Sequence, residues 1–240
     1  MSKLAKILKG LLALLVLNSC ASMMLNDKSI QPSEISNLGN FETISMIRLI
    51  KKGNQSEPSD SLSNLSSKIM DSIIWNSSSP KITTKFNLTD EKLRQRVEDD
   101  ILKTMLRIRD TRKLDHIKTT PVMDSIVKAQ NQRFALCVVN TGFDRRKGNY
   151  GNQIAKGIGI GILTMGMYTP VPIKANTAVD VMIFDAEKST VIFYNMIPFV
   201  EKSPTDKKNL GQLYSKLFEG FFYKKEPVVH YEMKKTRVVY

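Results

Sequence analysis

Side chains that hold metals or act as strong nucleophiles are scarce in this chain of 240 residues, which has two histidines and two cysteines. His116 and His230 are far apart in sequence, so neither sits at the short spacing that a zinc site or a Cys–His pair uses. No Gly-x-Ser-x-Gly elbow and no Gly-Lys-Ser/Thr phosphate loop occurs. Adjacent carboxylates such as Asp99 and Asp100 fall on a helical pattern, where neighbours diverge in direction and make no acid–base pair. The inventory speaks against a catalytic protein. Acidic side chains are also in deficit, with 36 Lys and Arg against 23 Asp and Glu and a formal charge of +13.

What is present begins at the amino terminus. Lys3, Lys6 and Lys9 form a basic region, Leu11 to Leu17 an unbroken apolar run, and Asn18-Ser19 a polar step into Cys20. Seven apolar residues fall far short of the ~20 that span a bilayer, so the stretch predicts an export signal, residues 1–19, rather than an anchor helix. Leu17-Asn18-Ser19-Cys20 resembles the lipobox of bacterial lipoproteins: Leu, two small residues, then Cys. That resemblance implies cleavage before Cys20, a diacylglycerol on its thiol and a further acyl chain such as palmitate on the new amino terminus. Two or more chains hold a protein stably on a membrane. The covalent lipid on Cys20 is then the sole prosthetic group expected, and the membrane the first partner. Ala21-Ser22 is neither the acidic run of surface-exported lipoproteins nor the Asp that retains enteric ones at the inner membrane. The expectation is therefore an outer-membrane, periplasm-facing protein.

For an exported chain, the basic surplus favours anionic envelope polymers and lipid headgroups over nucleic acid, or serves solubility alone. Once Cys20 is acylated, Cys137 is the one remaining thiol and no internal disulfide can form. It lies in Phe134-Ala-Leu-Cys-Val-Val139, with no basic neighbours to hold a thiolate, which predicts a small buried apolar residue.

Residues 20–40 are polar and read as a tether. A folded region should begin near Phe41 with a strand over 44–50. Leu62, Leu65, Ile69 and Ile73 then predict a helix with Ser59 or Ser61 as cap, and Trp75 closes the core edge at its end. A short strand over 82–88 precedes a helix from Asp90 to Arg109, capped by Thr89, whose Leu93, Val97, Ile101, Met105 and Ile108 share a face. Arg107, Arg109, Arg112 and Lys113 gather at its end, as an anion site or a solvated last turn. A helix from Pro121 to Ala129, a buried strand over 134–139 and a hairpin joining 178–184 to 190–196 follow. Ser203-Pro-Thr-Asp206 opens the last helix, with Leu210, Leu213, Tyr214, Leu217 and Phe218 in its stripe. Residues 224–240 form a basic tail.

The segment 148–173 stands apart. From Ile154 to Ile173 it is almost wholly apolar and is thinned by Gly157, Gly159, Gly161 and Gly166. Its glycines miss the dinucleotide fingerprint: the third position falls on Ile162 or Thr164. Three readings stand: a packed loop, a self-association hairpin or a membrane contact. Ser125-Ile-Val-Lys128 has the Ser-x-x-Lys spacing of penicillin-recognising enzymes without their Lys-Thr-Gly.

Ile44–Ile50, the helix over 59–75, Phe134–Val139 and the run Val179 to Tyr194 resemble the α/β domain shared by TolB amino-terminal domains, curli-secretion lipoproteins and lipoprotein activators of penicillin-binding proteins. The resemblance covers 41–223 and implies accessory, assembly or secretion roles with no common catalytic site. The expectation is one α/β (α+β) domain of two or three layers, a mixed sheet flanked by about four helices. Its function is that of a non-catalytic lipoprotein that binds or helps assemble envelope components, through a protein partner or self-association. The alternatives are an oligomeric secretion or pore component that uses 150–173, and an envelope hydrolase.

Overall fold

The computed structural model describes residues 23–148, 150–152, 154–155 and 172–223. The lipobox residues Leu17, Asn18, Ser19 and Cys20, the run 156–171 and the tail 224–240 lie outside them. Eight described strands form one mixed sheet: β1 (Met23–Asn26), β2 (Leu38–Phe41), β3 (Ile44–Ile50), β4 (Ser56–Pro58), β5 (Ile82–Phe86), β6 (Phe134–Arg145), β7 (Ala175–Asp185) and β8 (Thr190–Val200). Four described α-helices flank it: α1 (Asp60–Trp75), α2 (Glu91–Thr111), α3 (Pro121–Ala129) and α4 (Lys207–Phe218).

β6 is the axis. One of its edges pairs along its length with β7 in antiparallel register, and β8 and β1 follow, each antiparallel to the last. The other edge is shared: β2 runs parallel to Phe134–Leu136, and β3 runs parallel to Val139–Arg145. β2 carries β5 in parallel, and β3 carries β4 antiparallel.

Alternation along these strands divides the interior in two. Phe134, Leu136 and Val138 of β6, with Val179, Val181 and Ile183 of β7, meet Met70 and Ile74 of α1 and Leu210, Leu213, Tyr214, Leu217 and Phe218 of α4. Ala135, Cys137 and Val139, with Met182 and Phe184, meet Val97, Ile101, Met105 and Ile108 of α2 and Met123 and Val127 of α3. The fold is thus a three-layer α/β/α sandwich. Burial on both faces is why Phe134–Val139 of β6 reads as an unbroken apolar run. Cys137 is buried in the second core, and desolvation pushes its thiol far above the ordinary range.

Three expectations require correction. Residues 20–40 are not a tether from Met23 onward: β1 zips to β8, and β2 sits between β5 and β6 with Leu38 fully buried. Among the described residues the folded region therefore reaches back to Met23. The core face of α1 is turned by one position from the Leu62–Leu65–Ile69–Ile73 stripe. Ser66, Ser67, Met70 and Ile74 are buried and Leu65 is exposed, because the two serines donate to the carbonyls of Pro204 and Thr43. Trp75 does not close the core edge; it is 54% exposed.

Boundaries differ by a residue or more elsewhere. Asp90, not Thr89, caps α2 by accepting from the Leu93 amide at 2.8 Å. Asp206, expected at N3, is itself the cap of α4 and accepts from the Asn209 amide at 2.7 Å. The hairpin turn after β7 is held by Asp185. Its Oδ1 accepts the amides of Glu187 and Lys188, and its Oδ2 takes Nε and Nη2 of Arg133 at 3.0 and 2.7 Å.

Asp180 on β7 is buried, and the Tyr194 hydroxyl donates to it at 2.5 Å while Arg109 of α2 lies 3.7 Å away. Burial outweighs both partners and raises its carboxyl above the usual range. A raised folded-state pKa means the native state holds a proton that the unfolded chain has released, so this group's contribution falls as pH rises from ~4 through the folded value. Thermal melts between roughly pH 4 and pH 7 should therefore show Asp180→Asn gaining on the wild type with rising pH. A constant difference would mean that the native carboxyl titrates as it does unfolded.

Candidate functional site

Within the parallel part of the sheet, β2 and β5 end at Phe41 and Phe86. Crevices beyond the carboxyl ends of parallel strands are the usual ligand sites of α/β sheets. β2 must leave the edge of β6 so that β3 can take it, and the change occurs at Glu42-Thr43. The backbone groups freed there are claimed by α1. Asp71 Oδ1 accepts the Thr43 amide at 3.0 Å and the Thr43 hydroxyl at 2.6 Å, and the Ser67 hydroxyl donates to the Thr43 carbonyl at 2.6 Å. Lys85 on β5 lies 3.7 Å from the other Asp71 oxygen.

This junction opens into a cavity of about 560 Å³, lined by Asn40, Glu42, Lys68, Asp71, Ser72, Ile74, Trp75, Asn76 and Lys85. Asn40 is the telling residue. It is 3% exposed, yet its side-chain carbonyl has no hydrogen-bond partner. An unpaired buried carbonyl costs ~1–3 kcal/mol, and a donor arriving from the cavity would recover that cost. Close packing fixes the strand ends beside the cavity. The Phe86 ring lies so near Gly39 that a Cβ there would come within 2.1 Å of it, and Phe41 packs tilted against Phe86 at 4.7 Å in the core on the other face of the sheet. The half-exposed Trp75 supplies a flat apolar wall, and Lys68 and Lys85 supply positive charge.

A wider and more open depression, about 950 Å³, lies on the other side of the end of α1, between α1 and α4. Asn76 rims both, and the buried Tyr214 belongs to the wider one. Two depressions thus flank one helix end. The narrower is the better-formed site because a buried, unpaired amide carbonyl, two lysines and an exposed indole line it.

The cavity offers hydrogen-bonding groups, lysine charge and an indole face. Asp71 is committed to Thr43, whose hydroxyl it accepts and which is itself buried and does not line the cavity. Among the described residues no three His, Cys, Asp or Glu side chains gather as a metal site. His116 is exposed on the opposite layer, in the loop after α2, and Ser125 donates to the Pro121 carbonyl of its own helix. Of the basic group at the end of α2, Arg109 turns inward to Asp180, while Arg112 and Lys113 line a separate surface depression. The expected site residue, Cys20, lies outside the described residues. Sequence reasoning missed Asn40 and Lys85, the first inside the supposed tether and the second in a strand with no marked pattern. The one available signal was Trp75, the chain's single tryptophan.

Asn40→Leu, which keeps the branched heavy-atom shape and has the open cavity to take its extra bulk, should leave the fold as stable or raise its stability by about 1 kcal/mol, since an unpaired polar group is removed. Urea unfolding midpoints measure this. A loss larger than that gain would show that the Asn40 amide holds the fold rather than awaiting a ligand.

No protein-family model matches this chain, and no curated protein does. Among solved structures it is similar to a point-substituted PelC dodecamer from Paraburkholderia phytofirmans in space group C2, at TM-score 0.42 and 6% identity, covering 85% of this chain and 99% of that one. The PelC dodecamer from the same organism in space group P6 gives TM-score 0.40 and 6% identity over 85% and 100%. Likenesses this distant assign no family.

Proposed function

We propose that this protein is a lipid-anchored, non-catalytic binding protein of the bacterial envelope, held on the outer membrane facing the periplasm and engaged in binding or assembling other envelope components. The observation that carries the reading is the sequence Leu17-Asn18-Ser19-Cys20 behind a basic and apolar leader, which resembles a lipobox. The fold supports it in two ways. The sandwich starts at Met23, three residues past Cys20, so a chain cut before Cys20 keeps every described strand. The cavity at Asn40 offers an unpaired acceptor, lysine charge and an indole face, the equipment of a recognition site without the paired groups of a hydrolase. The tether of the sequence reading is not part of this proposal.

The test is chemical. Cells fed an alkyne-bearing palmitate should label the wild-type protein and leave Cys20→Ser unlabelled, and intact mass should place cleavage between Ser19 and Cys20. Label that persists on Cys20→Ser, or a mature terminus elsewhere, would sink the anchor.

A further inference from the structure

One end of the sheet collects positive charge. β6 finishes there at Arg145, β7 starts there at Ala175 opposite Asp144, β3 ends there at Ile50, and β8 ends there at Val200 opposite Thr177. A cavity of about 480 Å³ at this end is lined by Arg145, Arg146, Lys147 and Lys174, with Tyr150 and Asp144 beside them. Arg145 is half-buried and set in place: its Nε donates to the Ile173 carbonyl at 2.6 Å and its Nη1 to Asn54 Oδ1 at 2.8 Å. Arg146, Lys147 and Lys174 are exposed. Among the described residues none of the four forms an ion pair, although Arg133 at the opposite end of β6 meets both Asp185 and Glu187. Asp144 does not neutralise them outright. Its Oδ1 accepts the Arg145 amide and its Oδ2 the Ser203 hydroxyl.

The same end faces the point where the chain enters the fold. β1 begins at Met23 beside Met196, antiparallel to β8, so the amino-terminal end of β1 points toward the Val200 end of β8. Three residues reach at most roughly 11 Å. From Met196 to Val200 is roughly 14 Å at ~3.4 Å per residue. A lipid on Cys20 would therefore keep Met23, and with it the β1 edge that points to this end, within roughly 11 Å of the anchored residue. The apolar run 156–171 joins the chain here as well, between Arg145 and Ala175.

We propose that the cavity of Arg145, Arg146, Lys147 and Lys174 receives the phosphate headgroup of an anionic phospholipid in the leaflet that holds the Cys20 lipid. The orientation rests on the anchor proposed above; the charged cavity stands without it. Guanidinium and ammonium groups suit a phosphate by charge-assisted hydrogen bonds, and basic side chains near an anionic surface each strengthen binding by about fivefold.

The protein isolated from membranes is reconstituted into vesicles of phosphatidylcholine, alone or with phosphatidylglycerol that carries a photoreactive headgroup. Crosslinks should concentrate on 145–147 and Lys174, and Arg146→Glu/Lys147→Glu/Lys174→Glu should cut their yield by at least about fivefold. The glutamine set at the same positions should cut it less, and circular dichroism checks that both sets fold. Crosslinks spread evenly, or unchanged in the glutamate set, overturn the proposal. Equal competition by inorganic phosphate at low concentration would make this a free-phosphate site and overturn the lipid. Mass analysis of Cys20 in the same sample separates the two readings. An unlipidated Cys20 with crosslinks still at the cavity removes the anchor alone, and a lipidated Cys20 with none there removes the cavity alone.

Discussion

The whole arrangement depends on how one edge of β6 serves two strands. β2 and β3 both need the backbone groups along that edge, and a single straight strand could not also turn aside to carry β5. The chain solves this with a break at Glu42-Thr43, at the cost of an amide and a carbonyl withdrawn from the ladder. Buried backbone groups must find partners, and α1 supplies them through Asp71 and Ser67. One helix is thereby placed on the sheet by hydrogen bonds as well as by Met70 and Ile74. Ser66 extends the arrangement. It donates to the Pro204 carbonyl and accepts from Asn140 Nδ2 on β6 at 2.6 Å, tying α1 to the loop that launches α4. The cavity at Asn40 is a by-product of the same break, because a strand that turns aside leaves space at its end.

What could be read beforehand follows from this construction. α2, α3, β6 and the β7–β8 hairpin are built from apolar burial and end signals, which leave periodic traces. Thr120 before Pro121 and the turn held by Asp185 are local chemistry, visible as sequence. β1 and β2 are four residues each and polar in part. Their place is decided by pairing with β8, β5 and β6, none of them near in sequence. Periodicity misjudges the face of α1 because serines do the packing there, and a hydrophobic pattern has no sign for a buried hydroxyl that has found a carbonyl. It misplaces Trp75 for the complementary reason: aromatic residues are usually buried, and nothing local says when one is left out.

The site obeys the same division. A lipobox is a contiguous motif and speaks for itself as a resemblance. The cavity draws Asn40 and Glu42 from the β2 end, Asp71 and Trp75 from α1, and Lys85 from β5, which only the tertiary fold brings together. The basic cavity is intermediate. Arg145, Arg146 and Lys147 are adjacent in sequence, but Lys174 joins them through the antiparallel pairing of β6 with β7.

Replacing a flexible tether by a zipped β1 changes what an anchor would do. A tethered domain could sample any orientation above the membrane; one whose first described strand begins three residues past an anchored Cys20 would be held close to it. α1 starts beside the middle of β3, where the Ser59 amide donates to the Ile47 carbonyl, and runs 16 residues to Trp75. At 1.5 Å per residue its length is about 24 Å. Were the proposed anchor in place, the Asn40 cavity would stand at least roughly a helix length from the basic end of the sheet, at a spacing set by the fold rather than by a linker. A partner that used this cavity would meet the protein at a fixed distance from the membrane, the geometry required for building an ordered assembly on a surface.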